Sequence, residues 1–212
     1  MPMQQHDAAS HPDVEIADVT TGHARHLRVE VIRFRHRLFA GGWSGERVFD
    51  IVRRGRAAAI VLYDPERDSV VLIEQFRLAA LLGGRSPWQL EAVAGLLDGH
   101  SEETAEQVAR REAQEEANLA PIGPLVPIQT ILPASGSYDE TIALFCGRVD
   151  SRHAEGIYGL PEEQEDIRVV VKTMSEVEAM LDAGAIDNGH TVICLYWLLR
   201  HRDRLRKEWL AA

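Results

Sequence analysis

The chain has 212 residues, is 45% hydrophobic and 26% charged, and carries a formal net charge of −10. This composition predicts one well-packed domain of roughly 150–200 residues with a small extension. An acidic surface repels nucleic-acid phosphate, so the charge disfavours DNA or RNA as a partner. An anionic ligand would therefore need local cations, either arginines or a bound metal.

Nothing in the sequence predicts export or membrane insertion. Residues 1–14 are polar and aperiodic, which predicts disorder and does not resemble a signal peptide. No segment approaches the ~20 apolar residues that span a bilayer, so no membrane partner is expected. Cys146 and Cys194 lie in apolar runs without metal-ligand spacing. Buried free thiols and a cytoplasmic location are favoured over a disulfide.

The first half of the chain is predicted to be rich in β-strands. A strand is expected from Leu27, where apolar and charged residues alternate. It is followed by a hairpin of AAAIVLY and SVVLIEQFR, whose first strand is apolar throughout and is expected to be buried on both faces. LLGGRSP is predicted to be a loop, and WQLEAVAG a short strand that ends in glycine.

The second half is predicted to contain one helix, then three strands, then two further helices. Predicted helices cover 101–117, 175–184 and 190–210, and predicted strands cover 125–132, 141–149 and 166–173. Ser101 is the expected N-cap of the first helix, and Asn118 its left-handed final residue. Ser175 and Glu178 are expected to form a capping box on the second helix, which Gly184 would end. This order predicts a mixed α/β sandwich without regular βαβ alternation.

The segment RREAQEEANL contains clustered glutamates that could bind a metal ion. Glu112, Glu115 and Glu116 fall on one helical face, with β-carbons about 5–6 Å apart. Like charges at this spacing destabilise a helix, and a Mg²⁺ ion would compensate them. A solvated acidic face is the commoner explanation of such a cluster and stays open at this point. Small residues on the opposite face and a glycine-containing strand end just before the helix favour the metal site.

The stretch from Gly95 to Leu119 resembles the Nudix box. The family pattern is Gly, five residues, Glu, seven residues, then Arg-Glu-aliphatic-any-Glu-Glu-any-Gly-aliphatic. The matching residues are Glu103, Arg111, Glu112, Ala113, Glu115, Glu116 and Leu119. Seven residues instead of five separate Gly95 from Glu103, which places an insertion around 98–100, and Asn118 replaces the late glycine. Asparagine tolerates positive φ, whereas the insertion could displace a backbone metal ligand near Gly95.

Further segments resemble the bacterial ADP-ribose pyrophosphatase subfamily over roughly residues 15–210: RFRHRLF, AAAIVLYDPERDSVVLIEQFRLAA, PWQLEAVAG, GLPEEQEDIRV and IDNGHTVICLYWL. The resemblance implies an α/β (α+β) fold, the Nudix α/β/α sandwich with a mixed β-sheet. It further implies an N-terminal β extension over 15–55 that exchanges strands within a homodimer, followed by a Nudix hydrolase domain over 56–212.

The resemblance also implies how the metal is held. Glu112 and Glu116 would be the principal Mg²⁺ ligands, with Glu115 assisting and the Ala94 carbonyl as a backbone ligand. Mn²⁺ is the alternative ion, and Glu116 is counted among the catalytic residues. Arg111 lies one turn before Glu115 and is expected to orient it.

Further roles follow from matched segments. The subfamily places a general base on the loop before the last strand, and alignment of LPEEQEDIRV favours Glu163 for this role, with Glu165 as the second candidate. Arg77 matches a substrate-binding arginine, and Arg54 is a weaker candidate. Asp139 lies where the subfamily contacts sugar hydroxyls. A surface arginine and an ordinary hairpin turn remain the structural alternatives for Arg77 and Asp139.

The activity implied by the resemblance is Mg²⁺-dependent hydrolysis of ADP-ribose to AMP and ribose 5-phosphate. A first alternative is hydrolysis of another nucleoside diphosphate sugar, such as a GDP-sugar or ADP-glucose. A second alternative is a non-catalytic nucleotide-sugar-binding regulator, if the inserted loop has disabled the chemistry. The intact set of Glu112, Glu115 and Glu116 argues against this last possibility.

Overall fold

The computed structural model describes residues 11–25, 27–97, 102–160 and 164–211. The chain divides into two compact units. The first contains Met1–Arg56, Asp98–Glu102 and Leu132–Thr141, and the second Ala57–Leu97, Glu103–Ile131 and Ile142–Ala212. Within the described residues, no helix has both the length and the apolar character needed to cross a bilayer.

The first unit contains a three-stranded antiparallel sheet of β1 (Val14–Ala24), β2 (Arg28–His36) and β3 (Arg47–Arg53). Strand β2 is the one predicted from Leu27. Strand β1 was not predicted, because two register shifts against β2 interrupt its alternation of apolar and polar residues. The predicted disorder of residues 1–14 falls mostly outside the described residues, which begin at His11.

The second unit is built on an eight-stranded sheet in the order β10-β11-β5-β4-β9-β8, with β6 paired to β5 and β7 to β4. The strands are β4 (Arg56–Asp64), β5 (Ser69–Phe76), β6 (Trp88–Glu91), β7 (Val93–Leu96), β8 (Ile122–Ile131), β9 (Thr141–Arg148), β10 (Ile157–Tyr158) and β11 (Ile167–Thr173). Every residue of β4 after Arg56 is buried, which confirms the prediction for the first hairpin strand.

The sheet opens between β4 and β5. These strands pair with each other only where Leu62–Asp64 meets Ser69–Val71. Beyond that point β6 pairs with β5 and β7 pairs with β4, so the predicted single strand WQLEAVAG is two strands separated at Ala92. The chain thus passes from the β5 side of the opening to the β4 side just before the helix that carries Glu112, Glu115 and Glu116, here called the acidic helix.

Among the described residues, four helices accompany the sheet: α1 (Leu78–Leu82), α2 (Ala105–Ala117), α3 (Met174–Asp182) and α4 (Gly189–Leu210). Helix α2 begins later than predicted. Its N-cap is Thr104, whose hydroxyl and backbone N–H form a capping box with Gln107, and not Ser101, which lies outside the described residues. Asn118 ends α2 with φ 51°, which confirms the predicted left-handed residue.

The predicted cap of α3 was also wrong. Thr173 and Glu176 form the capping box, two positions before the expected pair Ser175 and Glu178. Gly184 follows the helix with φ +65°, consistent with its predicted role as a stop. Helix α1 was not predicted; its last two residues, Leu81 and Leu82, are the first two of the expected loop.

Two apolar clusters show the layering of the second unit. One face of the sheet packs against α2 through Val108, Ala109, Ala113 and Ala117. The other face packs against α3 and α4 through residues that include Met174, Val177, Leu195 and Leu198. The predicted α/β/α sandwich is therefore confirmed. Cys146 and Cys194 are buried and free, also as predicted.

Candidate active site

The side chains of Glu112 and Glu116 on α2 face strand β7, which borders the opening of the sheet. Glu116 is 3% exposed, and its Oε2 accepts a hydrogen bond of 3.1 Å from the Ala94 backbone N–H. The Glu112 carboxylate lies so close to Gly95 that a β-carbon added there would overlap it. The small residues Ala109 and Ala113 bring α2 close to the sheet, so the acidic face reaches strand β7.

This placement makes negative charge unfavourable in the site. Burial, followed by repulsion from Glu112, raises the pKa of Glu116 to about 9. Burial likewise raises the pKa of Glu112 to about 7, although Arg111 opposes the shift. Both groups would be stabilised in their charged form by a nearby cation.

Arg111 neutralises part of the helix face. Its guanidinium lies 2.9 Å from Glu112, 2.6 Å from Glu115 and 3.6 Å from Glu103. The contact with Glu115 is the one predicted from the four-residue spacing. The same contact turns Glu115 toward Arg111, so in this state Glu115 is a partner of the arginine.

The residues present fit a magnesium ion. Among the described residues, no three side chains of His, Cys, Asp or Glu converge on one point closely enough to enclose a metal. Mg²⁺ does not need such an enclosure, because it usually keeps several waters and binds one or two carboxylates together with substrate phosphates. Glu116 fits this role, since within the described residues its carboxylate receives a hydrogen bond only from Ala94.

The Ala94 carbonyl faces the same side as these carboxylates. Ala94 is paired with Ala59 of β4 in an antiparallel ladder, yet its N–H donates to Glu116. In such a ladder the N–H and C=O of one residue both point toward the partner strand or both away from it. The carbonyl of Ala94 is thus directed with its N–H toward the side that Glu116 reaches.

Arg77 lies at the end of β5 and is held by Glu91. Its Nη2 is 2.7 Å and its Nε 3.2 Å from Glu91 Oε2. Burial lowers the pKa of Arg77, but Glu91 outweighs this effect and raises it overall, and Glu116 and Glu165 add to the rise. Glu91 had no predicted role, although a glutamate between Leu90 and Ala92 in an apolar strand is a usable signal.

The candidate bases lie on the segment before β11. Glu163 falls outside the described residues. Glu165 is described: its Oε2 accepts a hydrogen bond of 3.0 Å from the Leu160 N–H, and its charge contributes to the raised pKa values of Glu112 and Glu116. Gly159, against which Glu165 packs, donates its N–H to the Glu115 carbonyl, which ties this segment to α2.

Arg54 and Asp139 belong to the first unit and contact each other. Asp139 Oδ1 accepts hydrogen bonds from the backbone N–H groups of Arg54 and Gly55, at 2.7 and 3.2 Å. Its Oδ2 lies 3.1 Å from Arg53. The Arg54 guanidinium lies 3.8 Å from Glu140. These contacts engage both oxygens of Asp139 and favour the structural alternative for that residue.

Comparison with known proteins finds relatives that match most of the chain. ADP-ribose pyrophosphatase of Escherichia coli (strain K12) is 43% identical over 197 residues, 93% of either chain. The Haemophilus influenzae protein of the same name is 39% identical over 203 residues, covering 94% of this chain and 92% of its own. GDP-mannose pyrophosphatase of Citrobacter koseri is 35% identical over 151 residues, covering 70% of this chain and 76% of its own.

A solved structure has a similar fold. A crystal structure described as an ADP compounds hydrolase matches with a TM-score of 0.69 and 20% identity, over 94% of this chain and 97% of that one. At this identity the match concerns the fold alone. The NUDIX domain model matches residues 53–192, more than half of the chain and the whole acidic helix. The chain belongs to the Nudix family.

Proposed function

We propose that this Nudix protein hydrolyses the diphosphate of ADP-ribose to AMP and ribose 5-phosphate with the help of Mg²⁺. The observation that carries the proposal is the pair formed by buried Glu116 and partly buried Glu112, facing the end of β7 with raised pKa values. Nearly full-length similarity to proteins named ADP-ribose pyrophosphatase supports the choice of substrate.

Glu112, Glu116 and the Ala94 carbonyl would hold the ion, with Glu115 joining them if it leaves Arg111. When bound, Mg²⁺ or Mn²⁺ supplies positive charge that neutralises a diphosphate and lowers the pKa of a coordinated water. The burial of Glu116 supports this assignment, because a cation would offset the cost of its desolvated charge.

A glutamate of the segment before β11 would deprotonate the attacking water. We retain Glu163 as the first candidate from the sequence match. Glu165 is supported by its charge, which contributes to the raised pKa values of Glu112 and Glu116. Substitution of each by glutamine separates them, because loss of the true base lowers kcat and leaves substrate affinity largely intact.

Arg77 is the proposed phosphate-binding arginine of the site. Its fork-shaped guanidinium suits bidentate phosphate contact. Within the described part of the chain, its Nη1 has no hydrogen-bond partner, whereas Nε and Nη2 bind Glu91. Arg54 stays a secondary candidate for substrate contact, and Asp139 a weaker one.

A second candidate substrate is a GDP-sugar, with ADP-glucose as a further possibility. The observation in its favour is the similarity to GDP-mannose pyrophosphatase, which is 35% identical but covers only 70% of this chain. A non-catalytic nucleotide-sugar regulator is disfavoured, because such a protein has no need of a buried and a partly buried carboxylate that repel each other.

We further propose a cytoplasmic homodimer that acts on small molecules and binds no nucleic acid. The β1–β3 sheet leaves large apolar side chains well exposed: Val14, Ile16, Val19, Val48 and Phe49. Apolar groups that share one sheet are commonly covered by a partner. The two buried free cysteines are consistent with a reducing compartment.

The test is a substrate panel. Purified protein is incubated with ADP-ribose, GDP-mannose or ADP-glucose, with Mg²⁺ or with EDTA, and the released monophosphate is measured by chromatography. AMP released only with Mg²⁺ supports the proposal, and preferred cleavage of GDP-mannose supports the second candidate. Binding of ADP-ribose without any cleavage would establish the regulator.

A further inference from the structure

Glu91 is a buried carboxylate outside the Nudix box that connects three segments of the chain. It is 3% exposed and shares a face of the sheet with Ile73, its direct partner on β5. Its oxygens accept hydrogen bonds from Gln75 at 3.2 Å, Arg77 at 2.7 Å and Asn188 at 3.0 Å. A carboxylate this deeply buried needs such donors, and they in turn are fixed by it.

The start of α4 continues this network. Asn188 is the N-cap of the helix, and its Oδ1 accepts from the Thr191 N–H at 3.2 Å and from the Thr191 hydroxyl at 2.9 Å. The same hydroxyl oxygen accepts a 2.8 Å hydrogen bond from Ala92 N–H. Residues 91 and 92, where β6 gives way to β7, are thereby fixed to α4 through both side chain and backbone.

We propose that Glu91, supported by Asn188, is a positioning residue that orients the Arg77 guanidinium for binding of the substrate diphosphate. The inference rests on the proposed function, since it assigns Arg77 a phosphate ligand. Glu91 holds Nε and Nη2 of Arg77, and Nη1 has no partner within the described residues. Glu91 lies three residues before Ala94, whose N–H donates to the candidate metal ligand Glu116, so Arg77 is held next to the strand that the metal site uses.

The physical gain is preorganisation. An arginine side chain loses considerable rotamer freedom when it is fixed on a ligand, and a carboxylate that fixes it beforehand removes that cost from binding. The oxygens of Glu91 face Arg77, Gln75 and Asn188. Glu91 is not expected to bind phosphate itself, because two negatively charged groups repel each other. Its effect on the reaction should therefore pass through Arg77 alone.

A double-mutant cycle tests this with Glu91→Gln, Arg77→Ala and the double variant, each assayed with ADP-ribose and Mg²⁺. Loss of a supporting partner costs about tenfold to a hundredfold in comparable sites, so we expect kcat/KM of Glu91→Gln to fall by that factor, mainly through KM. In the Arg77→Ala background the same substitution should have almost no further effect. Glu74→Gln, on the neighbouring strand β5 and paired with Arg168, is the matched control and should keep wild-type kinetics.

Asn188→Ser provides a second route if Glu91→Gln folds poorly. Serine retains an N-cap acceptor for α4 but removes the amide donor to Glu91. We expect a smaller loss in the same direction, about threefold to tenfold, that also disappears in the Arg77→Ala background. Equal losses in the presence and absence of Arg77, by either route, would overturn the inference, because the network would then act on the fold or on another group.

The positioning role of Glu91 can be tested even if the proposed function is wrong. If the wild type does not cleave ADP-ribose, the cycle is measured by titration calorimetry with inorganic pyrophosphate and Mg²⁺. Weaker binding by Glu91→Gln that vanishes without Arg77 would still support the positioning role. Additive losses, or no binding of pyrophosphate by the wild type, would overturn it.

Discussion

Replacing Glu116 by glutamine should stabilise the metal-free protein at alkaline pH while abolishing turnover. Burial and the neighbouring Glu112 raise the pKa of Glu116 from 4.5 to about 9 in the folded chain. Between these values the folded protein keeps a proton that the unfolded chain releases, so the wild type loses stability as pH rises through this window. Glutamine does not titrate, and its amide oxygen can still accept the hydrogen bond from the Ala94 N–H.

The size of the effect follows from proton linkage. Each pH unit within the window costs about 1.4 kcal/mol for one displaced proton. Glu112, whose pKa is raised to about 7, is coupled to Glu116 and takes part of the change. From about pH 5 to pH 8 we therefore expect the variant's advantage in free energy of unfolding to grow by roughly 2–4 kcal/mol.

Urea titrations in EDTA at several pH values measure this difference directly. Glu106→Gln is the matched control, because Glu106 is exposed on the same helix and forms a surface ion pair with Arg110 at 3.0 Å. Such pairs contribute about 0–1 kcal/mol, so its effect should be small and nearly independent of pH. A Glu116→Gln advantage that stays constant or shrinks toward alkaline pH would refute the reasoning. Adding Mg²⁺ should stabilise the wild type more than the variant.

Three further substitutions test separate parts of the structure. Gly95→Ala should displace the Glu112 carboxylate, with which the new β-carbon would overlap, and should lower kcat at least tenfold without loss of helicity by circular dichroism. Thr104→Ala removes the cap of α2 and should lower the free energy of unfolding by about 1 kcal/mol in urea titrations. Asp139→Ala leaves two backbone N–H groups without their acceptor and should cost about 1–3 kcal/mol with little change in KM; a raised KM with unchanged stability would instead support contact with the substrate.

The acidic helix could be predicted from sequence because its information is local. Three glutamates at three- and four-residue spacing specify one shared helix face. The small residues are predicted on the opposite face, and this was wrong, because Ala109 and Ala113 are buried on the same side of α2 as Glu116. Which residues cap α3 was harder to predict. Thr173–Glu176 and Ser175–Glu178 have the same spacing, and either pair could form a capping box. Thr173 prevails because it is the last residue of β11, paired with Ser69, so the chain becomes helical immediately after it.

The network around Arg77 could not be predicted, since none of its partners is close in sequence. Glu91 is 14 positions from Arg77, and Asn188 is 97 positions from Glu91. These residues meet only because the sheet opens between β4 and β5 and the start of α4 lies at that opening. A buried glutamate in an apolar strand indicates that partners exist, but tertiary pairing determines which they are.

The acidic character of the chain bears on how a diphosphate could bind. The net charge is −10, and Arg111 already faces Glu103, Glu112 and Glu115. Arg77 alone cannot offset both a diphosphate and the charges of Glu112 and Glu116. Cation and substrate should therefore bind cooperatively, because each reduces the electrostatic cost of the other. The burial and mutual repulsion of Glu112 and Glu116, which should weaken the metal-free fold at alkaline pH, would also favour the proposed ion.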